Sequence, residues 1–281
     1  MRKSVIALTI FMICVACGTV SAQKRLTILH TNDTHSTIFP LNEYLSDTTI
    51  AGRGGYLRRI EAIKQERLKN PNLLLLDCGD FSQGSSYYTM FKGDVEVGLM
   101  NIMGYDAATI GNHEFDFGLD NMVRIFRMAK FPIVCSNYDF ADTELAKIVK
   151  PYLIIKRNGL KLGIFALSPE LEGLVSKKNY GPLVYENPTQ CAQRMIDLLK
   201  KEMKCDAVIC LSHLGWQVTT YPCDRVIRET RGLDLVLDGH SHSYFQKLEY
   251  EKDLDGRMVP VNQNGKHGCF MGKIDIDFYS K

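Results

Sequence analysis

Leu73-Leu74-Leu75-Leu76-Asp77-Cys78-Gly79-Asp80 is the stretch on which the fold turns. Four apolar residues in a row, bounded by polar and turn-forming ones, read as a short buried strand. It ends in a carboxylate-bearing turn, and the same grammar recurs along the chain. Leu26–His30 runs into Thr31-Asn32-Asp33-Thr34-His35, and Ala107–Ile110 into Gly111-Asn112-His113-Glu114. Ala207–Leu211 runs into Ser212-His213, and Leu235–Leu237 into Asp238-Gly239-His240-Ser241-His242. Ile133–Cys135 reads as a further buried strand. Between these runs lie longer amphipathic segments, predicted as helices at Tyr56–Leu68, Val95–Met103, Leu119–Ala129 and Pro188–Met203. Asn187-Pro188 is a cap followed by a first-turn proline. Strands alternating with helices give an α/β fold.

Two hairpins and an edge strand complete the pattern. Arg157-Asn158-Gly159 separates Tyr152–Lys156 from Leu160–Ala166, and Asp253–Gly256 separates Tyr244–Lys252 from Arg257–Asn262. Lys273–Phe278 alternates apolar and polar residues, as a half-exposed strand does. No repeat, low-complexity tract or linker interrupts the region from 23 to 281, which is expected to form one domain.

In an open α/β sheet the carboxyl ends of the strands line one crevice. Five strands would therefore deliver Asp, His and Asn to one place. Of the seven histidines, five (His35, His113, His213, His240, His242) fall in these short segments; one alone would be a satisfied surface or core residue. Carboxylates with imidazoles select a transition metal such as zinc, manganese, iron or cobalt over calcium. Seven candidate ligands exceed what one catalytic ion with an open position can use. Two ions about 3.5–4 Å apart, sharing a carboxylate, would use them all.

In this order the segments resemble the calcineurin-like metallophosphoesterase superfamily, and within it the metallophosphatase domain of bacterial 5′-nucleotidases. Asp33-Thr34-His35 matches a DxH block and Gly79-Asp80-Phe81-Ser82-Gln83-Gly84 a GDxxQG block. Gly111-Asn112-His113-Glu114 matches GNHE, with Ser212-His213 and Gly239-His240-Ser241-His242 as the SH and GHSH blocks. The closing segments Val261–Gly268 and Lys273–Phe278 are also similar. The resemblance implies a four-layer α/β/β/α sandwich of two mixed sheets. It implies one divalent ion held by Asp33, His35, Asp80 and His242, and another by Asp80, Asn112, His213 and His240, with Asp80 as the bridge. His113 would stay off the metals beside the transferred phosphoryl group, oriented by Asp116. The implied reaction is hydrolysis of phosphate esters, nucleoside 5′-monophosphates foremost, by metal-activated hydroxide.

Other residues near these blocks have plainer readings. Asp77 is expected to serve a turn or support the ligands, Cys78 to pack, and His30 and His267 to be structural. Arg53, Arg58 and Arg59 follow the first ligand loop near Gly54-Gly55; contact with a phosphate is one reading of them, and a solvated helix face is the preferred one. Bacterial 5′-nucleotidases carry a C-terminal nucleotide-binding domain, and none is expected here. Three alternatives stay open: a catalytic unit served by a separately encoded nucleotide-binding protein, a phosphoesterase of broad or non-nucleotide specificity, and a non-enzymatic surface protein stabilised by its metals.

The 281 residues, 45% hydrophobic and 23% charged, are ordinary globular proportions. Arg2 and Lys3, the apolar run Val5–Cys17 and Val20-Ser21-Ala22 describe a secretory signal cut after Ala22. Lipidation at Cys17 is the alternative, and the apolar run is short for a membrane anchor. Without residues 1–22 the chain has 32 basic and 32 acidic residues, since only Arg2 and Lys3 are lost from the 34 and 32 of the whole. With no basic stripe, nucleic acid is not an expected partner; a small phosphorylated substrate is. Export to the periplasm or cell surface follows from the signal. The remaining seven cysteines show no disulfide or zinc-knuckle spacing and are expected to be buried small hydrophobes.

Overall fold

The computed structural model describes residues 24–218 and 220–278; the expected signal at 1–22 lies outside them. The strands are β1 (Lys24–Thr31), β2 (Leu74–Asp77), β3 (Ala107–Ala108), β4 (Tyr138–Asp139), β5 (Tyr152–Arg157) and β6 (Leu160–Leu167). They continue with β7 (Val184–Tyr185), β8 (Ala207–Ser212), β9 (Leu235–Leu237), β10 (Glu249–Lys252), β11 (Met258–Asn262) and β12 (Gly272–Phe278). The helices are α1 (Tyr56–Lys69), α2 (Ser86–Phe91), α3 (Asp94–Met103), α4 (Gly118–Met128), α5 (Lys177–Tyr180), α6 (Pro188–Asp197) and α7 (Cys223–Arg228).

Two mixed sheets result. One has the order β12-β1-β2-β3, parallel except for β12. The other has the order β10-β11-β9-β8-β6-β5, parallel inside and antiparallel at both edges. Strand side chains alternate between faces, so each apolar run feeds two cores. Leu26, Ile28, Leu74 and Leu76 of the first sheet meet Leu162, Ile164, Ile209 and Leu211 of the second between the sheets. Leu29, Leu73, Leu75 and Ala108 face the other way, onto α1, α3 and α4 through Ile63, Val97, Met100 and Ile125. Phe165, Val208, Cys210 and Val236 pack on α6 and α7 through Ala192, Met195, Val226 and Ile227. Three apolar layers between four layers of backbone are the α/β/β/α sandwich expected from the resemblance.

Local chemistry explains the boundaries. Asn187 caps α6 by accepting from the N–H groups of Thr189 (3.0 Å) and Gln190 (3.2 Å), with Pro188 in the first turn; such a cap contributes about 1 kcal/mol. The predicted helix to Met203 changes to a π-helical turn over Leu198–Glu202. Ile133–Cys135 forms no strand. It touches its neighbours only by single bridges, Ala108 to Ile133 and Val134 to Lys150, because β3 itself lasts two residues before the chain bends to the site. The hairpin strand expected from Tyr244 begins at Glu249. Residues 244 and 245 instead wrap the Asn262–Asn264 turn, with the Phe245 N–H donating to the Gln263 carbonyl at 2.9 Å. Six of the seven cysteines are buried, Cys269 is half-buried, and all seven are free. Among the described residues no helix is long and apolar enough to cross a membrane.

Candidate metal centre

The carboxyl ends of β1, β2, β3, β8 and β9 converge on one rim. Three groups of metal-competent side chains gather there, each with its donor atoms within 4.8 Å of one another: Asp33, His35 and His242; Asp80, His213 and His240; and His35, Asp80 and His113. Asp80 and His35 join the groups into one cluster.

The backbone at this rim is unusual. Asp33 (φ 47°), His35 (φ 42°), Asp80 (φ 54°), His240 (φ 72°) and His242 (φ 55°) all adopt left-handed conformations. Such a conformation costs a non-glycine residue of order 1 kcal/mol or more and persists only where the surroundings enforce it. Gly79 (φ 87°) is required for a second reason: a Cβ there would lie 2.6 Å from the Gly111 nitrogen and 3.0 Å from His213 Nδ1. The two ligand loops meet backbone to backbone at that point.

Metal-competent atoms crowd common positions here. His35 Nε2 and His242 Nε2 are 3.0 Å apart, and Asp33 Oδ1 lies 3.8 Å and 3.4 Å from them. His213 Nδ1 is held by the Cys78 carbonyl at 2.6 Å, which fixes the N–H on that nitrogen and leaves the Nε2 lone pair free. That Nε2 is buried 3.2 Å from Asp80 Oδ2 yet is not aligned for a hydrogen bond. Asn112 Oδ1 is likewise buried without a donor. Unmet polar atoms of this kind are costly in a protein interior, and here they belong to residues expected as ligands. The donor set, imidazole and carboxylate with one amide oxygen, fits divalent transition ions.

Electrostatics agree. Burial opposes a positive charge on His213, yet Asp80 and Asp33 pull its pKa up to about 10; without an ion Nε2 carries a proton there, and a metal cation would take that proton's place. Burial and the neighbouring His213 push His240 down to about 4, leaving a neutral imidazole. His113 stands at the edge, with Nδ1 3.2 Å from Asp116 Oδ2 and both side chains about one-third exposed. Burial lowers its pKa, but the Asp116 hydrogen bond and the charges of Asp80, Asp116 and Glu114 outweigh that and raise it.

A calcineurin-like phosphoesterase profile matches residues 26–244. The chain belongs to that family. It is 32% identical over 274 residues to human 5′-nucleotidase, covering 90% of this chain and 46% of the relative. Its fold superposes on the 5′-nucleotidase precursor of Thermus thermophilus with a TM-score of 0.81 at 28% identity, over 90% of this chain and 51% of the other. The calcineurin-like phosphoesterase YfkN of Bacillus subtilis follows with a TM-score of 0.75 at 27% identity, over 92% of this chain and 87% of the other. The chain thus spans about half the length of the curated 5′-nucleotidases it matches.

Several residues that support this phosphoesterase's rim were not singled out from the sequence. Glu114 is fully buried and accepts from the N–H groups of Asp80 (3.0 Å), Gly111 (2.6 Å) and Ser82 (3.1 Å). One side chain thereby ties the loop carrying Asp80 to the loop carrying Asn112. Gln263 donates to Asp238 Oδ2 and the Gly239 carbonyl and accepts from Ser241, bracing the His240–His242 loop. Their signal was weak: an acid inside a matched block, and a glutamine in a closing stretch. Asp77 accepts from Thr31 (2.6 Å) and the Gly79 N–H (3.0 Å), a turn role as expected. His30 bonds Asn262 and Asn264 inside the fold. His267 lies nearer the rim than a purely structural reading implies, its ring 5.8 Å from that of His35.

The arginines need a correction. Arg53 and Arg58 are exposed, but Arg59 is only 5% exposed. It shares the inward stripe of α1 with Tyr56 and Ile63, three and four residues apart, and its guanidinium sits over the Tyr56 ring.

Proposed function

We propose that this chain is an exported phosphoesterase that hydrolyses nucleoside 5′-monophosphates at a centre of two divalent metal ions, with residues 23–281 as its catalytic domain. Asp33, His35, Asp80 and His242 would hold one ion; Asp80, Asn112, His213 and His240 would hold the other. The observation that carries this reading is the convergence of four imidazoles on Asp80, with His213 Nε2 buried and unmet beside it, in a chain whose relatives are named 5′-nucleotidase. When bound, the ions supply a nucleophile from water near neutral pH and neutralise phosphate oxygens.

The protein's own groups do the rest. Asp33 is fixed by Asn32 (2.7 Å) and by the His240 N–H (3.0 Å), so its carboxylate is oriented before any ion arrives. Asp80 Oδ1 accepts from the His113 N–H at 2.9 Å, coupling the bridging carboxylate to the loop of the catalytic histidine. His113, steadied by Asp116, offers positive charge to the phosphoryl oxygens and a proton to the leaving oxygen. Beside His240 a cavity of about 470 Å³, lined by Leu214, Tyr185 and Tyr221 among others, has the size for a leaving nucleoside.

Phosphate release by the manganese- or zinc-loaded chain tests this, comparing AMP with aryl phosphate mono- and diesters and using Asp80→Ala as the blank. Saturable metal-dependent AMP hydrolysis is expected. Turnover of aryl esters with negligible AMP hydrolysis would reject the nucleotide assignment, and no turnover of any ester would reject the enzyme.

A further inference from the structure

Arg59 is a cation in the wrong place for a purely structural one. It is 5% exposed, and neither Nε nor Nη2 has a hydrogen-bond partner. The buried Asp77 carboxylate feels its charge but does not hydrogen-bond it, and leaving buried guanidinium N–H groups unmet is costly. The same side chain lines a cavity of about 300 Å³ together with Arg53, Arg58 and the Gly54-Gly55 turn, and no acidic side chain lines it. Gly55 is the N-terminal boundary of the 14-residue helix α1, whose first turn has no acidic residue and no side-chain cap. The partial positive charge of that helix end therefore adds to three guanidinium groups. Arg53 is seated over the Phe270 ring at 5.1 Å and Arg58 donates to the Gly52 carbonyl, so both are held at the mouth. Gly268 (φ 57°) is needed to close the far side, since any side chain there would run into the Arg59 guanidinium.

We infer that this cavity is a second oxyanion site, separate from the metal rim, that takes a phosphate group between Arg59 and its two exposed neighbours. A planar guanidinium matches phosphate oxygens directly, and a phosphate would supply the negative charge that the cavity lining lacks. The site is close to the rim: a Cβ on Gly54 would meet the His267 carbonyl at 2.8 Å, and His267 leans on His35. Its residues are nonetheless distinct from every metal-competent group there.

Cys269 provides the readout, because it lines this cavity and is the only half-buried thiol among the described cysteines, the other six being buried. Alkylation of Cys269 by neutral iodoacetamide is followed by mass spectrometry on the metal-loaded chain, with inorganic phosphate titrated against chloride at equal ionic strength. Phosphate at ten times its dissociation constant is expected to slow labelling about tenfold. Phenylphosphonate, which is not hydrolysed, separates a free phosphate from one carried on an organic group by which ion protects at lower concentration. Arg53→Ala/Arg58→Ala, both at exposed positions, should weaken protection, and Arg59→Gln should abolish it. Asp80→Ala should leave it intact, so failure of the metal-centre reading does not carry over. Equal labelling rates with and without phosphate would overturn the site. So would protection unchanged in the Arg53→Ala/Arg58→Ala chain, or protection lost in Asp80→Ala.

Discussion

The interior between the two sheets and the rim at their carboxyl ends follow opposite rules. Inside, Leu74, Leu76, Ile209 and Leu211 are wholly or almost wholly buried and apolar, and recur at every second residue on the one face that the sheets share. At the rim, one turn further along the same chain segments, five of the expected ligands hold left-handed backbone and three buried polar atoms, His35 Nδ1, Asn112 Oδ1 and His213 Nε2, lack partners. The interior stabilises the fold by removing apolar surface from water, and that stabilisation enforces the strain at the rim. The rim spends stability to hold ligand atoms apart from one another and aimed at shared points. Substitutions in the two regions should therefore separate stability from chemistry.

The largest effect is expected at the rim. Asp80→Ala removes the residue common to two of the three groups, so metal content and turnover should collapse together. Losing several kcal/mol of transition-state stabilisation lowers the rate by ~10³-fold or more, measured as phosphate release beside elemental analysis. Leu74→Ala is the interior counterpart. It should cost about 2–5 kcal/mol in denaturant unfolding and leave metal content and turnover per folded molecule nearly unchanged. Loss of metal in Leu74→Ala would break the separation.

His113→Ala sharpens the division within the rim itself. Turnover should fall by ~10²–10³-fold, the scale of a general acid, with both ions retained. An emptied centre would make His113 a ligand, as its place in the group with His35 and Asp80 permits.

The interior also holds a histidine that titrates. Burial pushes the His30 pKa down to about 4, against a small opposing contribution from Asn262. The unfolded chain takes up a proton near pH 6.5 that the folded chain refuses until about pH 4, so stability falls as pH drops through that window. The loss is roughly 3 kcal/mol by the acid end. His30→Gln should flatten that part of the stability profile, and an unaltered profile would show that His30 is not its source. The smallest effect belongs to Glu114→Gln, which keeps the shape but turns one accepting oxygen into a donor, so at least one of the three N–H bonds is lost. It should reduce metal affinity or activity by about 10–100-fold; unchanged affinity and activity would mean that the backbone alone positions the two loops.

How far the sequence could be read follows the same division. Buried strands announce themselves as apolar runs, and β1, β2, β8 and β9 lie within a few residues of the expected positions. The seven residues expected as ligands fall on the rim because each directly follows such a run. What escaped depends on contacts that no local pattern encodes. Arg59 is charged, yet the turn of α1 places it on the stripe with Tyr56 and Ile63. Gln263 is distant in sequence from the loop it braces, and Glu114 acts through backbone groups 32 and 34 residues away. Ile133–Cys135 is apolar enough for a strand but meets a neighbour of only two residues. The short helices α2 and α7, six residues each, are too brief for a helical period to show.

Metal stoichiometry is the most direct measurement of the strand-end centre. The chain is saturated with manganese or zinc, freed of excess ion, and analysed for metal per polypeptide beside His213→Ala and His242→Ala. Two ions in the unaltered chain and close to one in each variant, with the remaining ion in the other half of the site, are expected. A single ion in the unaltered chain, or two ions retained in either variant, would contradict a dinuclear centre shared through Asp80.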